Sequence, residues 1–353
     1  MATEQCPACR APVAVNDVFC EACGHPLSDV APAGTPATAA MAGPAGTWVT
    51  SAGPPDVCSA CGGRAFGPEG YCEGCGQRRP YGKDHTELEL GNLAAVTDKG
   101  RRHHRNEDAV GIGLLAQRSV AVVCDGVTSS ARPDAASNAA VAAALETLVE
   151  ALDRGVAVGE AIGGATGAAQ AAAALAAGPE PGANPPASTF VCAVVERDSV
   201  TVGWVGDSRA YWLPDDGEPE CLTVDDSMAG QFAARRVALP AGIASAQAVA
   251  LVRWLGADAT DTAPHLRTIS PTGPGRVLVC SDGLFRYKPG AAELAASTPR
   301  TGPLETAQTL VRLALDAGGV DNIAVAVLRH PPSPSGSVTA SATKSPQGSG
   351  VTE

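Results

Sequence analysis

Five acidic clusters punctuate the second two-thirds of the chain, and each stands at or beside the end of an apolar run: Asn106-Glu107-Asp108, Asp125-Gly126, Gly206-Asp207-Ser208-Arg209, Ser281-Asp282-Gly283 and Asp321-Asn322. A carboxylate at a strand end is poorly placed for packing and well placed to hold a hard cation. Magnesium and manganese take oxygen ligands, and two such ions can activate water against a phosphate. Singly, each aspartate reads as a turn or cap residue. The series as a whole points to metal-assisted hydrolysis of a phosphate ester.

The elements that must position these acids alternate between sheet and helix. Residues 109–115 and 119–124 are short apolar runs, the second rich in valine, as a buried sheet requires. Residues 132–154 read as a helix with Pro133 in its first turn and Ala139, Ala143, Leu145, Leu148 and Leu152 at helical spacing. Residues 158–177 form a second, alanine-rich helix, closed by the Pro-Gly and Asn-Pro-Pro breakers of 179–186. Strands are expected at 189–195, 199–205, 209–213, 218–223, 266–269, 276–280 and 322–328, and helices at 226–236, 246–255 and 304–316. Sequential strands with paired helices predict a layered α+β fold, not a parallel βαβ sheet.

Composition divides the rest. Residues 29–54 and 331–353 are Pro, Gly, Ser, Thr and Ala-rich and are expected to be a disordered linker and tail. Residues 1–28 and 55–80 each carry two Cys pairs: Cys6, Cys9, Cys20 and Cys23, then Cys58, Cys61, Cys72 and Cys75. Every pair is Cys-x2-Cys, ten residues separate the pairs in both units, and the second unit repeats the first 52 positions later. Four thiolates per unit close a tetrahedral structural zinc site, and Gly24 and Gly76 supply the turn after the last ligand. A disulfide framework or a redox motif would not need a matched second pair. The two units resemble a double zinc ribbon, with two structural zinc ions that drive its folding.

The net charge of −12 argues against nucleic acid and anionic membranes as partners. The N-terminus has no basic segment followed by an apolar one, and the longest apolar stretch, near 168–177, is short of a span. These readings predict a cytoplasmic protein. The other cysteines, Cys124, Cys192, Cys221 and Cys280, read as small core residues. His25, His85 and His330 read as solvent-facing, and His265 has no evident role.

Read together, the motifs over about 90–330 resemble the metal-dependent protein phosphatase family (type 2C serine/threonine phosphatases). The resemblance rests on their order: Thr97-Asp98-Lys99-Gly100, Arg105-Asn106-Glu107-Asp108, Cys124-Asp125-Gly126-Val127, Ser188-Thr189, Gly206-Asp207-Ser208-Arg209-Ala210-Tyr211, Leu255-Gly256, Ser281-Asp282-Gly283-Leu284 and Asp321-Asn322. It implies a four-layer αββα sandwich with a binuclear Mn²⁺/Mg²⁺ centre at one edge. Asp125 would bridge the ions, the Gly126 carbonyl would bind one, Asp282 and Asp321 would hold one ion, and Glu107 and Asp108 would act on the other through water. Asp207 would help Asp282 hold a weaker third ion, and Asn322 would orient the Asp321 loop. Substrates would be phosphoserine and phosphothreonine proteins, with the kinases that modify them as further partners, and the chain is expected to act as a monomer.

Two departures bear on substrate handling. Where the family carries a phosphate-binding arginine, this chain has His103, flanked by Arg102 and Arg105; His103 is expected to line the site, with a role in proton donation to the leaving group. After Asp125-Gly126 comes Val127, which cannot donate a proton. Cys280 and Arg286 also match the Cys-x5-Arg spacing of cysteine-dependent phosphatases, but Asp282 would put a carboxylate into an anion-cradling loop, and Val279 replaces the customary histidine. The non-enzymatic alternative is a phosphatase-fold scaffold that binds phosphoproteins, with the cysteine-rich head as its docking or regulatory element.

Overall fold

The computed structural model describes residues 3–5, 12–14, 41–43, 46–52, 72–76, 84–180, 182–240 and 242–331. The chain divides into two compact units, one of Met1–Ala37 with Gly53–Pro80 and one of Thr38–Ala52 with Tyr81–Glu353. In the first unit, β1 (Thr3–Gln5) and β2 (Pro12–Ala14) pair antiparallel. Cys72 is buried, and the turn after it closes through a 2.8 Å bond from the Gly76 N–H to the Cys72 carbonyl, with Gly76 at φ +70°. Cys6, Cys9, Cys20, Cys23, Cys58 and Cys61 lie outside the described residues, as do His25 and the tail beyond Pro331.

The second unit is a sandwich of two antiparallel sheets. In sequence order its elements are β3 (Met41–Gly43), β4 (Gly46–Thr50), β5 (His85–Leu90), β6 (Leu93–Asp98), β7 (Asp108–Leu115), β8 (Arg118–Asp125), α1 (Pro133–Asp153), α2 (Val158–Leu175), β9 (Ala187–Ser188), β10 (Phe190–Val195), β11 (Val200–Val205), β12 (Arg209–Pro214), β13 (Glu220–Cys221), α3 (Met228–Ala234), α4 (Ser245–Ala248), β14 (Leu255–Gly256), β15 (His265–Ile269), β16 (Gly275–Cys280), α5 (Asp282–Phe285), α6 (Ala291–Ser297), α7 (Pro303–Asp316) and β17 (Ile323–His330). One sheet runs β15-β11-β10-β8-β7-β4-β3 and the other β13-β12-β16-β17-β6-β5; β9 and β14 form a short separate pair.

The strand pattern explains the layering. Side chains alternate faces along a strand. In β8, Ala121 and Val123 point into the core between the sheets, beside Ile112, Val191, Val279 and Ala326. Val120, Val122 and Cys124 face the other way, against Leu145, Leu148 and Ile162 of α1 and α2. The second sheet does the same with Val96, Leu278 and Val325 against Leu310 and Val311 of α7. Both faces of both sheets are covered, so the strands read as continuous apolar runs, and the result is the expected αββα order. By length and apolarity α1 could cross a membrane, yet its apolar stripe is buried against the sheet.

Four expectations are corrected. The stretch 29–54 is not a featureless linker throughout: β3 and β4 pair with each other and β4 pairs with β7, extending the seven-stranded sheet. The chain also rejoins the second sheet at His85, before residue 90. No helix spans 246–255; only Ser245–Ala248 is helical, Val249 and Val252 are exposed without a core to face, and Leu255–Gly256 turns away to pair with Ala187–Ser188. His330 is buried, its ring between the Gly273 and Arg197 carbonyls and edge-on to Trp212; His85 is exposed, as expected, and bonds Asp98 and Glu87.

Candidate active site

Antiparallel pairing brings the first acids together directly. Asp108 opens β7, Asp125 ends β8, and the register sets them opposite each other. On the other sheet, Asp282 follows the last residue of β16 by two positions, and Asp321 precedes the first residue of β17 by two, in strands that pair with each other. Asp207 lies in the turn between β11 and β12, where the chain crosses from one sheet to the other. The acids are therefore strand-end residues of two facing sheets at one edge.

Hydrogen bonds tie the two sheets together there. The Ser281 hydroxyl donates to Asp108 Oδ2 at 2.6 Å and accepts from the Ala324 N–H. Asn322 Oδ1 accepts from the Glu107 N–H at 2.8 Å, while its amide donates to the carbonyls of Lys99 and Arg105. Asn322 thus orients the Glu107 segment as well as its own loop. Thr189 brackets Asp125, accepting from its N–H and donating its own N–H to its carbonyl, and bonds the Ser208 hydroxyl. Glycine is required at two of these joints. A Cβ on Gly126 would stand 2.8 Å from the Glu107 and Pro133 carbonyl oxygens, and one on Gly283 would stand 1.8 Å from the Asn322 oxygen.

The electrostatics show how closely the acids converge. Burial pushes the Asp125 carboxyl well up, and the charges of Asp108, Asp282, Asp207 and Asp321 push it further. Asp108 is raised by burial and by Asp282 and Asp321, against the Ser281 bond. Asp282 is raised by burial and Asp321, against Arg286. Asp207 is pushed up to about 7, by burial first and then by Asp282 and Asp225. Asp108 Oδ1 and Glu107 Oε2 are buried without a hydrogen-bond partner. A buried group of mutually repelling oxygen donors with orphaned lone pairs fits a hard divalent cation.

The sign of the pH dependence follows. The folded protein retains the Asp207 proton between the usual carboxylate value of 3.8 and about 7, where the unfolded chain has released it. Folded stability therefore falls as pH rises through that window and the loss is complete above it. The cation-free protein is expected to melt at a lower temperature at pH 8 than at pH 5, and saturating Mn²⁺ to remove most of that difference. A pH-independent melt without cation would be incompatible with the repulsive cluster.

The basic residues divide. Nε2 of His103 lies 3.0 Å from Asp321 Oδ1, so His103 lines the site. Arg105 is turned to Glu107 and Asp134, and Arg102 is exposed. Arg286, one turn after Asp282, bonds Asp282 Oδ2 at 2.7 Å and Asp321 Oδ2 at 2.9 Å. Its spacing from Asp282 was visible in the sequence, but such pairs are commonly surface ion pairs. Among the described residues no three acid, cysteine or histidine side chains make a closed ligand set; Arg286 and His103 engage Asp282 and Asp321. Cys280 is fully buried and burial drives its thiol far above the ordinary value, which removes it as a nucleophile.

Asp226 and His265 were not foreseen. The Asp226 carboxylate accepts from the Gly206 N–H at 3.0 Å, and its own N–H donates to the Gly206 carbonyl, clamping the turn that carries Asp207. Arg253 and His265 hold the same carboxylate at 3.1 and 2.9 Å. Asp226→Ala is expected to lower kcat/KM about 10–100-fold, the usual cost of losing a group that orients a ligand. Unchanged kinetics would mean that the turn is held without it.

A four-layer sandwich with acids at converging strand ends is the frame against which known proteins compare. Solved serine/threonine phosphatases share it. One from Mycobacterium tuberculosis, PstP/Ppp, is 26% identical with a TM-score of 0.56, covering 68% of this chain and 97% of its own. The PPM phosphatase MsPP from Mycobacterium smegmatis, solved with cacodylate, is 27% identical with a TM-score of 0.54, covering 67% and 97%. A PstP catalytic domain in complex with two manganese ions, 23% identical over 69% of this chain and 99% of its own, has the same fold at a TM-score of 0.52. No curated protein matches the chain. The family model for protein phosphatase 2C matches residues 97–314. The chain belongs to the protein phosphatase 2C family and is a serine/threonine protein phosphatase.

Proposed function

We propose that this phosphatase hydrolyses phosphoserine and phosphothreonine in proteins with water activated at a pair of Mn²⁺ or Mg²⁺ ions, without a covalent intermediate. The observation that carries this reading is the cluster of buried, mutually repelling carboxylates drawn from both sheets. Asp125, the Gly126 carbonyl, Asp282, Asp321, Glu107 and Asp108 would hold the pair, the last two through water, and Asp207 with Asp282 would hold a weaker third. Bound there, the ions lower the pKa of water and offset charge on the phosphoryl oxygens. The manganese-bound PstP domain supports this choice of ion.

The residues of the chain have defined tasks in this scheme. Ser281 holds Asp108 across the sheets, and Asn322 fixes the backbone at Glu107. His103, which lies against Asp321, would return a proton to the leaving serine or threonine oxygen. The eight cysteines of the first unit would bind two structural zinc ions in ribbons used for docking or regulation, and thiolate ligands fit a cytoplasmic, reducing setting. Cognate kinases would be partners through shared substrates, and the enzyme would work as a monomer.

A second reading has one observation in its favour: Arg286 and His103 already engage Asp282 and Asp321, as in a scaffold that binds phosphoproteins without turnover. Phosphate release from a phosphothreonine peptide separates the two. The enzyme is expected to require Mn²⁺ or Mg²⁺, to stop with EDTA, and to retain activity as Cys280→Ser. Release no faster than the no-enzyme rate at saturating Mn²⁺ would favour the scaffold.

A further inference from the structure

Arg286 occupies an unusual place for a cationic side chain. It lies one helical turn after Asp282, and a single nitrogen of its guanidinium reaches Oδ2 of both Asp282 and Asp321. Those two carboxylates repel each other, and both are assigned to the ion pair in the reading above. Arg105 and Arg209 engage other acids than these two. Arg105 pairs with Glu107 and Asp134. Arg209 forks onto Asp225 and lies 3.8 Å over the Phe285 ring. That stacking contact anchors the residue before Arg286, so the arm starts from a fixed point. The Arg286 side chain is 46% exposed, so it reaches the acids from the solvent side and can withdraw without opening the core.

We infer that Arg286 is an internal counter-cation: it holds Asp282 and Asp321 together in the metal-free enzyme, and a divalent ion must displace it to bind. The inference rests on the metal reading proposed above. A guanidinium offers one positive charge where an Mn²⁺ ion offers two, and its hydrogen bonds are charge-assisted but partly screened at a half-exposed position. The ion therefore wins, against a standing competitor. Two consequences follow from the same contact. Metal affinity is set lower than the carboxylates alone would give, and the metal-free fold is protected from the repulsion of its own acids.

The test uses the full chain and Mn²⁺ alone, followed by isothermal titration calorimetry, with Asp282→Asn as the blank for binding elsewhere. Arg286→Gln is expected to bind Mn²⁺ about tenfold more tightly than the natural enzyme, the scale of one or two partly screened, charge-assisted bonds. Arg286→Lys, which keeps the charge without the fork, should fall between them. In thermal melts, Arg286→Gln should lose stability without metal and match the natural enzyme when saturated with Mn²⁺. Equal or weaker Mn²⁺ binding by Arg286→Gln, with Arg286→Lys unchanged, overturns the inference and leaves the metal reading intact. If the natural enzyme binds no more Mn²⁺ than Asp282→Asn, the metal reading itself fails. Should Arg286→Gln unfold without metal, the Arg286→Lys affinity decides alone: tighter than natural supports displacement, and equal or weaker overturns it.

Discussion

Asp125→Asn is expected to lower turnover of a phosphothreonine peptide by a thousandfold or more, on the order of what removal of a preorganised electrostatic element costs, while the metal-free protein melts no lower than the natural one. The two halves of this result have one cause. Asp125 is buried among Asp108, Asp282, Asp207 and Asp321, and its charged form is disfavoured by all of them. Neutralising it relieves repulsion in the cation-free fold and removes an acid proposed to hold the ion pair. The substitution spares what holds the strand end, because Thr189 grips Asp125 through its main-chain N–H and carbonyl. The increase in melting temperature on adding Mn²⁺ should shrink with the activity. A variant that keeps its turnover, or loses it by unfolding, would show that the cluster is structural.

Much of this site was legible because strand ends announce themselves. A run such as 119–124 followed by Asp-Gly leaves the carboxylate at the rim whichever face the strand buries, and antiparallel pairing then sets Asp108 against Asp125. What the letters could not show is how charges are shared once the acids converge. His103 was expected at the site with no partner named, and its ring lies against Asp321. Arg105, an expected phosphate ligand, is instead held by Glu107 and Asp134, because both carboxylates are buried beside it and need a counter-charge. The Arg286–Asp321 and Asp226–Gly206 contacts span 35 and 20 residues, a range at which no local pattern signals a contact. The helix expected at 246–255 failed for a related reason: its valines had helical spacing but no core to face.

The largest misreading, residues 29–54, leads to the second expected result. A chain beginning at Asp84 should be far less stable than one beginning at Thr38, although both contain every acid of the site. The Ala, Gly and Pro-rich sequence before it masked the short strand Gly-Thr-Trp-Val-Thr over 46–50, which takes its order from β7 beside it. In the fold Val49 pairs with Ile112, is 4% exposed and belongs to the core between the sheets. Beyond the strand end, Ser51 exchanges bonds with Val110, its N–H to the carbonyl and its hydroxyl accepting from the N–H. Losing the strand gives up about 1.5–3 kcal/mol of valine burial and about 1–3 kcal/mol for the abandoned polar groups of β7. The sum, on the order of 4 kcal/mol, is a large share of the roughly 5–15 kcal/mol that holds a domain together. It also bares the edge of β7, an open template for aggregation. Val110 is two residues from Asp108, so the loosened edge reaches the acids themselves. Urea titration of the two truncated chains is the measurement, with Val49→Asp in the full chain as a control that leaves the cysteine-rich unit in place. Equal midpoints for all three and the natural chain would make β4 an ornament on the sheet; a large drop in both the shorter chain and Val49→Asp would make the segment between the cysteine units a structural part of the enzyme.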